Sequence, residues 1–123
     1  MQTAQLKELV IDQLEELKAK DIKILDVKAT SSITDLMVIC SGTSNRHVKS
    51  IAHNLIRAVK DQGLQPLGIE GDDVAEWVLV DLGDVVAHIM LPQTRDFYQL
   101  EKLWDPKWHE RHDLHEQSAS NSH

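Results

Sequence analysis

WVLVDLGDVVAHIMLPQTRDFYQLEKLW, residues Trp77 to Trp104, holds nearly all of the aromatic side chains of this chain. Trp77 to Leu82 and Val85 to Leu91 are apolar, β-branched runs joined by Gly83-Asp84, the composition of a tight antiparallel hairpin. Pro92 cannot donate to a ladder. Beyond it Leu91, Arg95, Tyr98 and Glu101-Lys102 fall into helical spacing, so the second strand is predicted to feed one short closing helix.

Successive residues of a strand point to opposite sides of a sheet. Trp77, Leu79 and Asp81 therefore share one side, and Val78, Val80 and Leu82 the other. On the second strand Val85, Ala87, Ile89 and Leu91 form a wholly apolar set, while Val86, His88 and Met90 form a mixed one. The apolar sets belong under covering helices. The mixed side, with Trp77, His88 and Met90, has two readings: a partner-binding face, since aromatics and Met are enriched in interface cores, or a face lying under another helix.

At 123 residues the chain fits one domain with a tail to spare. A net charge of −7 argues against a protein whose main business is gripping nucleic-acid phosphates, and it suits a basic partner. The one cysteine, Cys40, lies inside an apolar run and reads as a buried, inert thiol. No leader-like or long apolar segment opens the chain, so the expected location is the cytoplasm, with neither membrane nor DNA as a partner.

In order, Leu6, Leu9, Val10, Leu14 and Leu17 give a helix from Thr3 to about Ala19 one apolar stripe, opposite Glu8, Asp12, Glu15 and Glu16. Ile22 to Val27 and Asp35 to Ser41 read as strands around a Ser/Thr-rich turn. At Ser41-Gly42-Thr43-Ser44 the chain turns into a second helix, capped by Ser44 or Thr43 and stopped by Gly63 near Gln62. It buries Val48, Ile51, Ala52, Leu55, Ile56 and Val59. Along its exposed side run Arg46, Lys49, His53, Arg57 and Lys60, a basic line that is either solvated or meets RNA phosphates or an acidic helix. Gln65 to Ile69, broken by Pro66 and Gly68, suits an edge strand. From Asp105 to His123 periodicity is lost in a polar, His-rich tail, and the spacing of His109, His112 and His115 orients no metal without a fixed helix. The domain thus spans 1–104 and the tail 105–123.

The strand-Gly-Ser-helix corner resembles one that nucleotidyltransferases use to hold a triphosphate. That chemistry also needs two carboxylates one residue apart on a neighbouring strand to hold a divalent metal. The sequence has no such pair: Asp81 and Asp84 straddle the hairpin glycine, and Glu70, Asp72 and Asp73 belong to a turn. No catalytic residue, cofactor or metal site is expected.

Several separated motifs carry a family resemblance. Ser32-Ile33-Thr34-Asp35; Ile39-Cys40-Ser41-Gly42-Thr43-Ser44 with Arg46-His47-Val48; Glu70-Gly71; Trp77 through Val86; His88; and Arg95 with Tyr98, Leu100, Glu101, Leu103 and Trp104 together resemble the ribosomal silencing factor, or Iojap-related, family over about residues 4 to 104. The resemblance implies an α/β fold of the α+β type, a single five-stranded mixed sheet with helices mainly on one side, like nucleotidyltransferases but without their catalytic acids. It implies a translational repressor that binds the large ribosomal subunit through the fourteenth protein of the L series. Steric occlusion of the small subunit then lowers translation when nutrients are scarce. Organellar relatives acting in ribosome biogenesis give the alternative.

The expected partner surface is Trp77, His88, Met90, Arg95, Tyr98, Leu100 and Lys102, with Leu103 and Trp104 in the core. Arg46, Lys49, Arg57 and Lys60 are a minor candidate contact with ribosomal RNA. A homodimer through the same sheet face is a competing state, and a nucleotide-binding enzyme a remoter one.

Overall fold

The computed structural model describes residues 1–103; the side chain of Leu103, Trp104 and the tail 105–123, all assigned roles from the sequence, lie outside the described residues. Helix α1, Thr3–Glu16, buries Leu6, Val10 and Leu14. It ends at Glu16 instead of Ala19 because Lys18 turns left-handed at φ 59°. The Lys18 amide then donates to the Glu15 carbonyl and the Ala19 amide to that of Leu14, a Schellman closure made with a lysine where glycine is usual. Strand β1, Lys20–Asp26, follows at once, two residues earlier than its apolar run suggests, and a bulge between Lys20 and Lys23 accommodates the difference.

Strand β2, Leu36–Ser41, turns through Gly42 into helix α2, Asn45–Asp61. A Cβ at Gly42 would lie 2.7 Å from Val48 Cγ2 and 2.9 Å from the Val48 nitrogen, so only glycine lets the strand pass this close to the first helical turn. Ser44 caps the helix, its hydroxyl accepting from the His47 amide at 3.1 Å. The far end closes as the Gly63 amide donates to the Lys60 carbonyl and that of Leu64 to Val59.

Strands β3, Gly68–Glu70, β4, Trp77–Asp81, and β5, Val85–Met90, complete one mixed sheet in the order β1-β2-β5-β4-β3. Among the described strands only the β2–β5 pairing is parallel. The edge strand β3 starts at Gly68 instead of Gln65; Pro66 has no N–H to give a ladder, and pairing opens with the Leu67 amide to the Asp81 carbonyl.

The hairpin distributes its residues as the period of two requires. Val78, Val80, Val85, Ala87 and Ile89 join Val38 and Cys40 beneath α1 and α2 in the main core, with Leu55 and Ile51 of α2 fully covered. Met90, Met37 and Ile39 face the other way and form a smaller cluster with Val27 and Leu100, against which Trp77 packs. At β5 all six residues are buried.

One closing helix was expected after Pro92; the chain makes two. Helix α3, Pro92–Tyr98, begins with proline in its first turn, where no N–H is needed, and stops at Gln99, which is left-handed at φ 50°. Helix α4, Leu100–Leu103, then starts in a new direction. The break lets Leu100 reach the small cluster and brings Glu101 back to Arg95.

The left-handed lysine gives a first test. Lys18→Gly removes an unfavourable conformation that costs an L-residue roughly 1 kcal/mol, and should raise the thermal midpoint by about 4 °C. A lowered midpoint in calorimetry would mean that Lys18 makes a compensating contact.

Candidate functional site

The side of the sheet away from α1 and α2 carries the row Ser41, Met90 and Trp77 on three neighbouring strands, with Ile39, His88 and Leu79 in the next row. Met90 is fully buried and forms part of the floor against which Trp77 lies. The Trp77 indole N–H donates to His88 Nδ1 at 2.9 Å, so the imidazole must be neutral with its proton on Nε2. Burial lowers the His88 pKa from the usual 6.5 to about 4, which keeps it an acceptor at neutral pH.

Behind Trp77, Gly71 holds the turn from β3 at φ 83°. A Cβ there would lie 2.3 Å from the Trp77 carbonyl oxygen, so backbone packs directly on backbone where the tryptophan enters its strand.

On the outer side Tyr98 meets the indole with ring centroids 4.9 Å apart and a tilt of 50°. Phe97 stands edge-on to Tyr98 at 5.0 Å. Tyr98 is 52% exposed and Phe97 80%, whereas Trp77 is half-buried. These three rings form a stepped apolar surface: an anchored indole, a phenol that keeps its hydroxyl end wet, and an outlying phenyl ring. Aromatic area of this kind at a rigid site is what binding hot spots are made of.

The seven residues expected at a partner surface therefore divide. Trp77, Tyr98 and Lys102 are accessible. His88, Met90, Arg95 and Leu100 are buried, at 5%, 0%, 8% and 8% exposure, and are corrected from contact residues to support. The α3–α4 turn caps that end of the sheet with Leu100, which clusters with Met90, and places the Arg95 guanidinium inside, its Nη1 donating to Ser41 Oγ and its Nε to Glu101 Oε1, each at 3.1 Å. His88 lies against the Trp77 indole. Phe97 was missed. Two positions after Arg95 on the same helix, it points away from the Arg95 side, and it meets Tyr98 where α3 ends.

At the alternative corner, Gly42 to Ser44, several amides have partners within the chain. Gly42 N–H donates to the Met90 carbonyl, Thr43 N–H to His47 Nδ1, and the His47 and Val48 amides to Ser44 itself. The His47 ring continues to the Leu17 carbonyl at 2.7 Å, joining the end of α1 to the start of α2. The carboxylates are engaged too, Asp81 with the Gly83 amide and Asp84 with the Thr3 hydroxyl. Among the described residues no group of three or more His, Cys, Asp or Glu could hold a metal ion. Burial pushes the Cys40 thiol up to about 12, against the opposing charge of Arg95, which makes it a poor nucleophile.

A family model described as "Ribosomal silencing factor during starvation" matches residues 1–123. The chain belongs to the ribosomal silencing factor family. It is 48% identical over 99 residues to the ribosomal silencing factor of Haemophilus influenzae, covering 80% of this chain and 97% of that one. It is 39% identical over 100 residues to a mouse protein named for mitochondrial assembly of the ribosomal large subunit, covering 79% of this chain and 44% of the mouse protein. A crystal structure from Chromobacterium violaceum superposes with a TM-score of 0.83 at 43% identity, covering 85% of this chain and 87% of the other.

The basic line on α2 is exposed at Arg46, Lys49, His53, Arg57 and Lys60, on the side of the sheet opposite the aromatic step. Two of its members have local partners: His53 lies 3.3 Å from Asp72, and Arg57 donates to Asn54. No helix among the described residues is long and apolar enough to cross a membrane.

The burial of His88 against Trp77 sets a pH dependence. A histidine that is neutral when folded but free to charge when unfolded makes stability decline as pH falls from about 6.5 to about 4, by about 3 kcal/mol in all. His88→Asn retains an acceptor for the indole and cannot titrate. Urea unfolding across that range should show the wild type losing about that much more than the variant; parallel losses would mean that His88 is not held neutral against Trp77.

Proposed function

We propose that the protein is a translational repressor that binds the large ribosomal subunit through the fourteenth protein of the L series and blocks joining of the small subunit by occupying the contact face. The observation that carries this is the step of Trp77, Tyr98 and Phe97, two of them more than half exposed, with Tyr98 against both other rings and the indole bonded to His88. Such a surface has little conformational entropy left to lose on docking. Membership of the silencing factor family supplies the ribosome as target. The mechanism has no covalent step: occlusion needs only affinity and bulk.

Charge favours the same kind of partner. The chain carries −7, and ribosomal surfaces that neutralise RNA are basic, so encounter is accelerated and the docked rim is complementary. Lys102, exposed on α4, is a positive exception and suits an acidic or carbonyl group of the partner. Arg46, Lys49 and Lys60, with Arg57, provide a weaker, salt-sensitive contact to ribosomal RNA on the opposite side of the protein. A homodimer through the aromatic step would hide it, so self-association and ribosome binding compete. The protein acts in the cytoplasm and uses no cofactor.

A second reading is favoured by one finding, the name of the mouse relative, which speaks of large-subunit assembly. The same surface then serves a maturing subunit, and the two readings differ in which particle is bound in cells.

Tyr98→Ala and Trp77→Ala test the contact. Each should weaken binding to purified large subunits by about 2 kcal/mol, or about 30-fold in Kd, and should relieve the block on joining of added small subunits. Tyr98→Ala should leave the thermal midpoint nearly unchanged, since half of the ring is already in water. Unaltered co-sedimentation of both variants, with small subunits still excluded, would remove the aromatic step from the interface.

A further inference from the structure

Among the described residues the Arg95 guanidinium is the one buried cation on the side of the sheet that carries the aromatic step, and it connects three separate pieces of chain. Nη1 donates to Ser41 Oγ at the end of β2, and Nε donates to Glu101 Oε1 on α4, while Arg95 itself belongs to α3. Its side chain is 10% exposed and that of Glu101 23%. The ion pair spans the break at Gln99, a non-glycine residue in the left-handed region, where an unsupported chain has no reason to remain. The last residue before that break is Tyr98, and Phe97 precedes it.

We infer that Ser41 and Glu101 are positioning residues for the docking surface: through Arg95 they hold the α3–α4 turn in the one shape that stacks Tyr98 on Trp77 and offers Phe97 to the partner. The inference rests on the aromatic step being the docking surface. Neither residue need touch the partner. Ser41 is 2% exposed and shielded by the guanidinium it binds. Glu101 directs Oε1 inward to Arg95, and its Oε2 is buried with no hydrogen-bond partner among the described residues. A buried ion pair of this kind is weak evidence of a stabilising role, because desolvation of both groups offsets their attraction. What it does secure is geometry, because the charged, directional Nε–H···Oε1 bond fixes the one-turn α4 relative to α3.

The alternative is that Glu101 meets a basic side chain of the partner directly. Asp21, Lys23, Asp96 and Glu101 line a groove of about 460 Å³ with Ser41 and Arg95, so a contact there is geometrically open. The two roles are separated by coupling. A residue that acts through Tyr98 loses its effect once Tyr98 is gone, whereas a direct contact adds to the loss.

The experiment is a double-mutant cycle on the full chain, measuring Kd for purified large ribosomal subunits with Tyr98→Ala, Glu101→Ala and the combination. Glu101→Ala is expected to weaken binding about tenfold, and to weaken it less than twofold further in the Tyr98→Ala background. Glu101→Gln, which keeps an acceptor for Arg95 Nε, should restore most of the loss, and Ser41→Ala should repeat it. Since Trp104 and Trp108 also emit, Trp77 fluorescence is read with both replaced by Phe; Glu101→Ala should change it and Glu101→Gln should not. Additive losses, or full affinity for Glu101→Ala while Tyr98→Ala is impaired, would overturn the positioning role and leave the docking surface standing. Full affinity for Tyr98→Ala itself would overturn both. Should Glu101→Ala fail to fold, the cycle is run with Ser41→Ala, to the same criteria.

Discussion

Strand β5 is buried on both sides along its whole length, and that constraint organises the molecule. It lies at the centre of the sheet, with parallel β2 on one edge and antiparallel β4 on the other, so each of its six residues must be covered from above or below by a different part of the chain. On one side two helices supply aliphatic side chains, and the solution is ordinary: Val85, Ala87 and Ile89 meet a layer of Leu, Ile and Val. On the other side the segment after β5 does the covering. The α3–α4 turn reaches one end of that face with Leu100, and Trp77 lies beside it.

The cover on this second side includes a polar contact. A buried histidine in a nearly apolar environment would be costly without a partner, and the indole N–H of Trp77 provides one at 2.9 Å. The bond orients the indole so that Tyr98 can stack on it, and Phe97 extends the row into solvent. A rigid aromatic surface is thus a consequence of how a short helical turn finishes a core. The proposed docking surface is built by the same packing that covers the core, so residue type alone does not separate structural from contact residues here.

Much of this was legible in the sequence. The hairpin, both of its faces and the helix stripes follow from periods of two and of three to four, and the corner from the run Ser41-Gly42-Thr43-Ser44 between a strand and a helix pattern. The close approach of Val48 that demands glycine there is visible only in the structure. Trp77 and Tyr98 were identifiable because a large aromatic side chain on a partly polar face buries much of its area only when a neighbouring element or a partner covers it. What periodicity does not contain is how far a terminal helix runs before it breaks. Gln99 has no special propensity for the left-handed region, so α3 and α4 read as one helix and Phe97 was passed over. For Arg95 and Leu100 the burial depends on that break, which turns Glu101 back to Arg95 and Leu100 onto the small cluster. For His88 and Met90 the spacing leaves two readings open, a partner face or a covered one, and both are covered. Lys18 is the matching case at the end of α1, where a lysine makes a turn that sequence assigns to glycine.

The central claim is that the aromatic step meets a ribosomal protein on the large subunit. A photo-activated cross-linking residue in place of Phe97, irradiated with isolated large subunits and analysed by mass spectrometry, addresses it without relying on loss of binding. The account predicts that the cross-link joins position 97 to the fourteenth protein of the L series and that small subunits fail to join the cross-linked particle. Cross-links to another ribosomal component, or only to a second copy of this chain, would contradict it.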